Sequence, residues 1–147
     1  MITVYNGTLQ PMKKPVTRAM RKKLEQAAKK VMRHAHAPYS NFHVGAAILL
    51  TNGKVFSGCN VENSSYGMTN CAERTAIFSA VAALGPKIEI RAVAVANDHG
   101  VACSPCGACR QVIIELGGPD LPIRLGNLRG ATRDTTAREQ LPDAFYL

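Results

Sequence analysis

From Thr17 onward, Met20, Leu24, Ala27, Ala28, Val31 and Met32 recur every three or four residues, with lysines and arginines between them. This repeat of about 3.6 residues predicts an amphipathic helix that ends before Pro38. The pattern then changes. H-V-G-A-A-I-L-L (His43 to Leu50) and K-V-F-S-G (Lys54 to Gly58) flank T-N-G at Thr51 to Gly53, which predicts an antiparallel strand pair joined by a tight turn. A loop with Asn60, Asn63, Ser64, Ser65 and Gly67 follows. Cys71 to Leu84 reads as a buried helix closed by Gly85-Pro86, I-E-I-R-A-V-A-V-A (Ile88 to Ala96) as an inner strand, Pro105 to Leu116 as a helix closed by Gly117-Gly118, and L-P-I-R-L (Leu121 to Leu125) as a further strand. The late order strand, helix, strand predicts crossover connections on one mixed sheet covered by helices, an α/β fold. Residues 1–16 hold Pro11 and Pro15 and show no clear period, so they are expected to form an N-terminal arm or a short edge segment. Residues 17–147 are then expected to form a single domain, with no repeat, low-complexity segment or linker.

Composition narrows the class. A chain of 147 residues with 46% hydrophobic content can bury one sizeable core. No stretch approaches the roughly 18 apolar residues of a membrane span, and the first residues lack the basic start and apolar run of a signal peptide. A soluble intracellular protein is expected. Five cysteines in a chain of this size argue against a secreted disulfide framework and for reduced thiols, some of them on metal. The net charge of +8 is uneven: nine of the eighteen basic residues lie between Lys13 and Arg33, where Glu25 is the only acid. Such a run on one helix is usually a solvated face, a polyanion or partner surface being the alternative.

The candidate chemistry lies in C-A-E-R-T-A (Cys71 to Ala76) and S-P-C-G-A-C-R-Q (Ser104 to Gln111). Ser104 suits an N-cap and Pro105 the first helical position, which would put Cys106 and Cys109 on one face of a first turn, able to meet one metal ion. The positive end of the helix favours thiolate, the form that binds zinc. A closed structural site commonly uses a second cysteine pair, and there is none; three protein ligands plus water is the pattern of a catalytic zinc. Among Cys59, Cys71, Cys103 and the four histidines, Cys71 is the best third ligand, since it too lies at a helix start, capped by Thr69 or Asn70. Arg74 and Arg110, beside ligand positions, would offset the excess negative charge of three thiolates. Glu73 has a plain explanation as the third residue of a capping box with Asn70, and a separation of two from Cys71 is not a same-face spacing on an ideal helix. Spacing alone therefore does not bring Glu73 to the metal. Cys59 and Cys103 are left over, Cys59 as a small apolar strand residue.

Taken together, A-P-Y-S-N-F-H-V-G-A-A (Ala37 to Ala47), G-C-N-V-E-N-S-S-Y-G (Gly58 to Gly67), C-A-E-R-T-A-I, S-P-C-G-A-C-R-Q and L-P-D-A-F (Leu141 to Phe145) resemble the cytidine deaminase family. The resemblance implies a three-layer α-β-α sandwich around a mixed sheet of about five strands. It implies one zinc per subunit on Cys71, Cys106 and Cys109, with Glu73 shuttling protons from the metal-activated water to ring N3 and later to the leaving amine. It further implies that Phe42 walls the base, that Asn60 and Glu62 bond the ribose, and that Ala72 joins the substrate-binding set. Without the resemblance, Phe42 would pass for a core aromatic and the other two for turn residues. A carboxylate at Glu62 suits a free sugar hydroxyl better than a phosphate, so a nucleoside is the expected substrate. Cysteine as first ligand looks like the short homotetrameric branch, in which Tyr66 and Phe145 contribute across subunit contacts; the expected setting is cytoplasmic pyrimidine salvage. Ser64, where alanine is common, and the long arm depart from the family pattern. Rival readings are a zinc-stabilised nucleic-acid-binding module and a deaminase of the same fold acting on a polynucleotide or a nucleoside antibiotic; N-V-E-N-S-S-Y-G, which looks like a closed nucleoside pocket, counts against both.

Overall fold

A computed structural model describes residues 2–5, 8–11 and 13–145, the first two stretches by their backbone alone. Ile2–Tyr5 (β1) and Thr8–Pro11 (β2) pair antiparallel as their own two-stranded sheet. The first helix, α1 (Arg18–Val31), starts where its pattern predicts: Thr17 is the N-cap, its hydroxyl accepting from Met20 N at 3.2 Å. The chain before it is tied to the main sheet. Lys13 Nζ donates to Ile90 O at 2.5 Å and Gly117 O at 2.7 Å, and Arg91 donates to the carbonyls of Lys14 and Pro15. Burial pulls the Lys13 ammonium below its ordinary pKa, while Glu89 pulls it back up.

The main sheet has five strands: Val44–Leu50 (β3), Val55–Cys59 (β4), Ile90–Asn97 (β5), Pro122–Asn127 (β6) and Thr132–Thr136 (β7), in the order β4-β3-β5-β6-β7. All neighbours run antiparallel except β5 and β6, which are parallel and joined by a crossover through helix α3 (Gly107–Gly117). The predicted hairpin is present, with Gly53 at φ 85° closing its turn. Strand β7 completes the five-stranded sheet that the resemblance implies, at a place the hydrophobic pattern does not mark, and the short helix α4 (Ala137–Gln140) follows it.

Alternation along β3 sorts the core into two layers. Ala47 and Leu49 face α1, meeting Leu24, Ala28 and Ala92, Ala94 and Ala96 of β5. Ala46, Ile48 and Leu50 face the other side, against Ile77 and Ala80 of α2 (Ala72–Leu84) and Ile113 and Ile114 of α3. Helices on both faces of a mixed sheet make the three-layer α/β fold that was expected.

Glycine lets the layers approach. A Cβ on Gly45 would lie 2.0 Å from Ala28 O, and one on Gly58 2.4 Å from Ala76 N, both backbone atoms that cannot step aside cheaply. Gly45→Ala is expected to destabilise the fold by at least about 2 kcal/mol by lifting α1 off β3. An unchanged thermal midpoint would show that the contact is looser than this.

Candidate active site

Helices α2 and α3 both begin at one end of the sheet, and each begins one or two residues later than expected. The N-cap of α2 is Cys71 (φ −76°, ψ 156°), not Thr69 or Asn70; the N-cap of α3 is Cys106 (φ −66°, ψ 165°), not Ser104. The amide of Asn70 bonds instead to the Thr75 hydroxyl at 3.1 Å. Two consequences follow. Cys106 stands at the cap, just outside the first turn that holds Cys109. Glu73 becomes the second residue of α2, so the expected capping box does not form. Because Cys71 has extended backbone, the helical spacing that kept it off the face of Glu73 does not apply.

The three sulfurs of Cys71, Cys106 and Cys109 lie within 4.8 Å of one another, and Cys71 Sγ is 3.7 Å from Cys106 Sγ. Two thiolates on a tetrahedral zinc, each about 2.3 Å from the metal, stand about 3.8 Å apart. The donor set therefore fits zinc in chemistry and in spacing. Cys109 has no exposed surface, Cys71 is partly exposed and Cys106 is exposed, so the cluster is reached from outside at Cys106.

The electrostatics favour anionic sulfur. The Cys109 thiol donates towards Cys71, and with Arg74 Nη2 at 3.3 Å from Cys71 Sγ this outweighs burial and lowers the Cys71 pKa to about 5. Cys109 moves the other way, pushed up by its hydrogen bond to Cys71 and by burial. Arg74 is raised by the same contact with Cys71, and so lies against the sulfur cluster. Arg110 does not: its Nε and Nη1 donate to Pro105 O and Gln140 O, both at 2.8 Å, tying the start of α3 to the chain beyond α4.

Glu73 is 4% exposed, and burial is the main reason its carboxyl is pushed up to about 7; its own backbone N–H first, then the adjacent Cys109 thiol and the charge of Arg74, resist that rise. A carboxyl poised near neutrality, in contact with one of the three clustered thiols, can both accept and return a proton.

Phe42, Asn60 and Glu62 form one connected unit beside this centre. Asn60, 8% exposed, accepts from Val44 N and donates to Phe42 O, both at 2.8 Å. Glu62 accepts from the Tyr39 and Ser40 backbone amides at 2.9 and 3.2 Å and from the Ser40 hydroxyl, the last holding its carboxyl below the ordinary range. Ser40 Oγ in turn accepts from Phe42 N at 3.1 Å. The unit joins the start of α2 through the reciprocal Val61–Asn70 backbone bonds at 2.9 Å. Each polar side chain keeps spare hydrogen-bonding capacity, since an amide offers four bonds and a carboxylate four lone-pair sites. Nothing in composition or spacing marks Ser40 and Tyr39; Y-S directly before N-F is the signal the sequence offers for them.

Ala72 is fully buried in the core, so its methyl offers no surface and only its backbone at the helix start remains. Tyr66 and Phe145 are 76% and 63% exposed; Tyr66 meets Tyr39 edge-on at 6.0 Å, and Phe145 O accepts from Gln111 Nε2 at 2.9 Å.

Three clustered thiols and a buried acid at paired helix starts of an α/β sandwich are the donor set and proton carrier that a metal-dependent hydrolytic centre requires. Residues 18–124 match the model of the cytidine and deoxycytidylate deaminase zinc-binding region. A cytidine deaminase of Sporosarcina psychrophila is 50% identical over 123 residues, covering 84% of this chain and 89% of that protein. One of Halalkalibacterium halodurans is 50% identical over 111 residues, 76% of this chain and 83% of that protein. The crystal structure of cytidine deaminase from Burkholderia pseudomallei superposes with a TM-score of 0.80 at 56% identity, covering 84% of this chain and 98% of that one. The chain belongs to the cytidine and deoxycytidylate deaminase family.

Proposed function

We propose that the protein hydrolyses cytidine and 2'-deoxycytidine to uridine and 2'-deoxyuridine, releasing ammonia, with residues 17–147 as the catalytic unit and residues 1–16 as an arm. The observation that carries this reading is the buried Glu73 carboxyl in contact with a cluster of three thiols. Cys71, Cys106 and Cys109 would hold one zinc per subunit, which when bound supplies a Lewis acid that brings the pKa of a water towards neutrality. Glu73 takes a proton from that water and places it on N3 of the pyrimidine, so that C4 becomes electrophilic. The hydroxide left by that transfer adds to C4 and forms the C4–O bond; Glu73 then takes the proton of the new C4 hydroxyl and gives it to the exocyclic amine, which leaves as ammonia as the C4–N bond breaks and the C4 carbonyl forms. Arg74 holds the Cys71 sulfur in its anionic form. Phe42 walls the base, Asn60 and Glu62 turn their spare hydrogen-bonding capacity to the ribose hydroxyls, and Ala72 lends its backbone.

A homotetramer with shared active sites is part of the proposal. Tyr66, Met68 and Phe145 are 76%, 70% and 63% exposed, and large apolar side chains this open suit surfaces covered by neighbouring subunits. Among the described residues no helix is long and apolar enough to cross a membrane. The unpaired thiols of a metal cluster suit a reducing compartment, which supports a cytoplasmic role in pyrimidine salvage.

The test is conversion of free cytidine and deoxycytidine by zinc-loaded protein, with the mass of the active species measured by sedimentation. Turnover of both nucleosides by a tetramer is expected. A zinc-loaded protein inert to both would sink the substrate assignment, and an active monomer would remove the shared-site element alone.

A further inference from the structure

Phe42 is held from a second side by the end of β5. Asn97, 1% exposed, turns the chain there: its Oδ1 accepts from His99 N at 2.9 Å, and its Nδ2 donates to Val101 O at 2.9 Å and Gly126 O at 3.3 Å. Asp98, next in the turn, grips the residue that follows Phe42. Its carboxylate accepts from His43 N at 3.1 Å and lies 2.6 Å from His43 Nδ1, while its own backbone N–H donates to His43 O at 3.2 Å. These bonds extend the β3–β5 ladder one rung past Val44↔Asn97. His99, thereby placed, lays its imidazole against the Phe42 ring in an edge contact, centroids 4.4 Å apart and planes at 71°, with Nε2 3.8 Å from Asp98 Oδ1.

Aromatic pairs have a preferred geometry, so a ring fixed on one edge is fixed in orientation. Phe42 thus has its backbone held by Asn60 and Ser40 and its ring held by His99. We propose that His99, set in place by Asn97 and Asp98, is a positioning residue for substrate binding: it holds the Phe42 ring in the orientation that stacks on the pyrimidine. The proposal rests on the assignment of Phe42 as the wall of the base site. Stacking on the base is the same before and during reaction, so losing the positioning contact raises KM and leaves kcat nearly unchanged.

Steady-state kinetics on zinc-loaded Phe42→Ala, His99→Ala, His99→Phe, Asp98→Asn and the Phe42→Ala/His99→Ala double variant test this, with zinc content and thermal midpoint measured on each. His99→Ala is expected to raise KM for cytidine about fivefold with kcat within about twofold, the size of one aromatic contact. His99→Phe, which restores a ring edge, recovers most of that loss, and Asp98→Asn falls between. In the Phe42→Ala background, His99→Ala adds nothing further, because its effect passes through that ring. Additive KM effects, or a His99→Ala variant whose kcat, zinc content and thermal midpoint fall together, would overturn the proposal. A Phe42→Ala variant with unchanged KM removes the base-wall assignment itself and the proposal with it, whereas a raised KM there with an unaffected His99→Ala removes the positioning role alone.

Discussion

Glu73→Gln is expected to lower kcat for cytidine by about 10³-fold or more while bound zinc is retained. The amide keeps the size and shape of the carboxyl in a site that is 4% exposed, so the floor of the centre has no reason to repack. What it loses is the ability to exchange a proton, and the proposed reaction uses that twice, once towards N3 and once towards the amine. Stability should not explain the loss. In metal-free protein, burial raises the Glu73 carboxyl from 4.5 to about 7, so the folded chain holds a proton that the unfolded chain gives up between those values. A raised acid pKa weakens folding as pH rises through that window, and an amide has no such dependence. At pH 8 the Gln variant should therefore unfold at the same temperature as the parent or above it. Turnover within about tenfold of the parent, at equal zinc content, would remove Glu73 from the proton path.

Much of the layout was legible because it depends on local pattern. The 3.6-residue period of α1, the T-N-G turn and the apolar run of β5 each state their own structure. The fifth strand escaped because T-R-D-T-T (β7) lies at the edge of the sheet with three of its five positions exposed, and so carries no alternation to detect. The caps were misplaced for a different reason. Ser, Thr and Asn outrank cysteine as N-caps on ordinary helices, and that preference pointed to Asn70 and Ser104. Here the cap positions hold Cys71 and Cys106, which sets their sulfurs where the unpaired backbone N–H groups of the helices concentrate positive potential. The same displacement brings Glu73 to the thiols, which no count along an ideal helix could show. The clamp on Phe42 was invisible for want of locality: His43 and Asp98 are 55 positions apart and meet only through the β3–β5 pairing.

Cys109→Ala is expected to abolish activity by releasing the metal, while Cys103→Ala leaves zinc content and turnover close to the parent. Cys109 is the fully buried member of the cluster, projecting from the first turn of α3 between Cys71 and the Glu73 carboxyl. Without it only the sulfurs of Cys71 and Cys106 remain, and two thiolates cannot supply the three protein ligands a catalytic zinc requires. Changing groups that merely support metal ligands already costs about 10- to 100-fold in affinity, so loss of a ligand should cost at least about 10³-fold. Since the metal binds the folded chain, its stabilisation disappears with it: zinc at a thousand times its dissociation constant contributes about 4 kcal/mol. The variant should unfold at lower temperature than the zinc-loaded parent and near the parent stripped by a chelator. Cys103 is the matched control, a thiol three residues before Cys106 whose sulfur contacts Val101 O at 3.7 Å and lies outside the cluster. Metal analysis on the two purified variants decides the matter. Stoichiometric zinc in Cys109→Ala, or its loss from Cys103→Ala, would take the ligand role from Cys109, and with it the geometry that places Glu73 at the reacting centre.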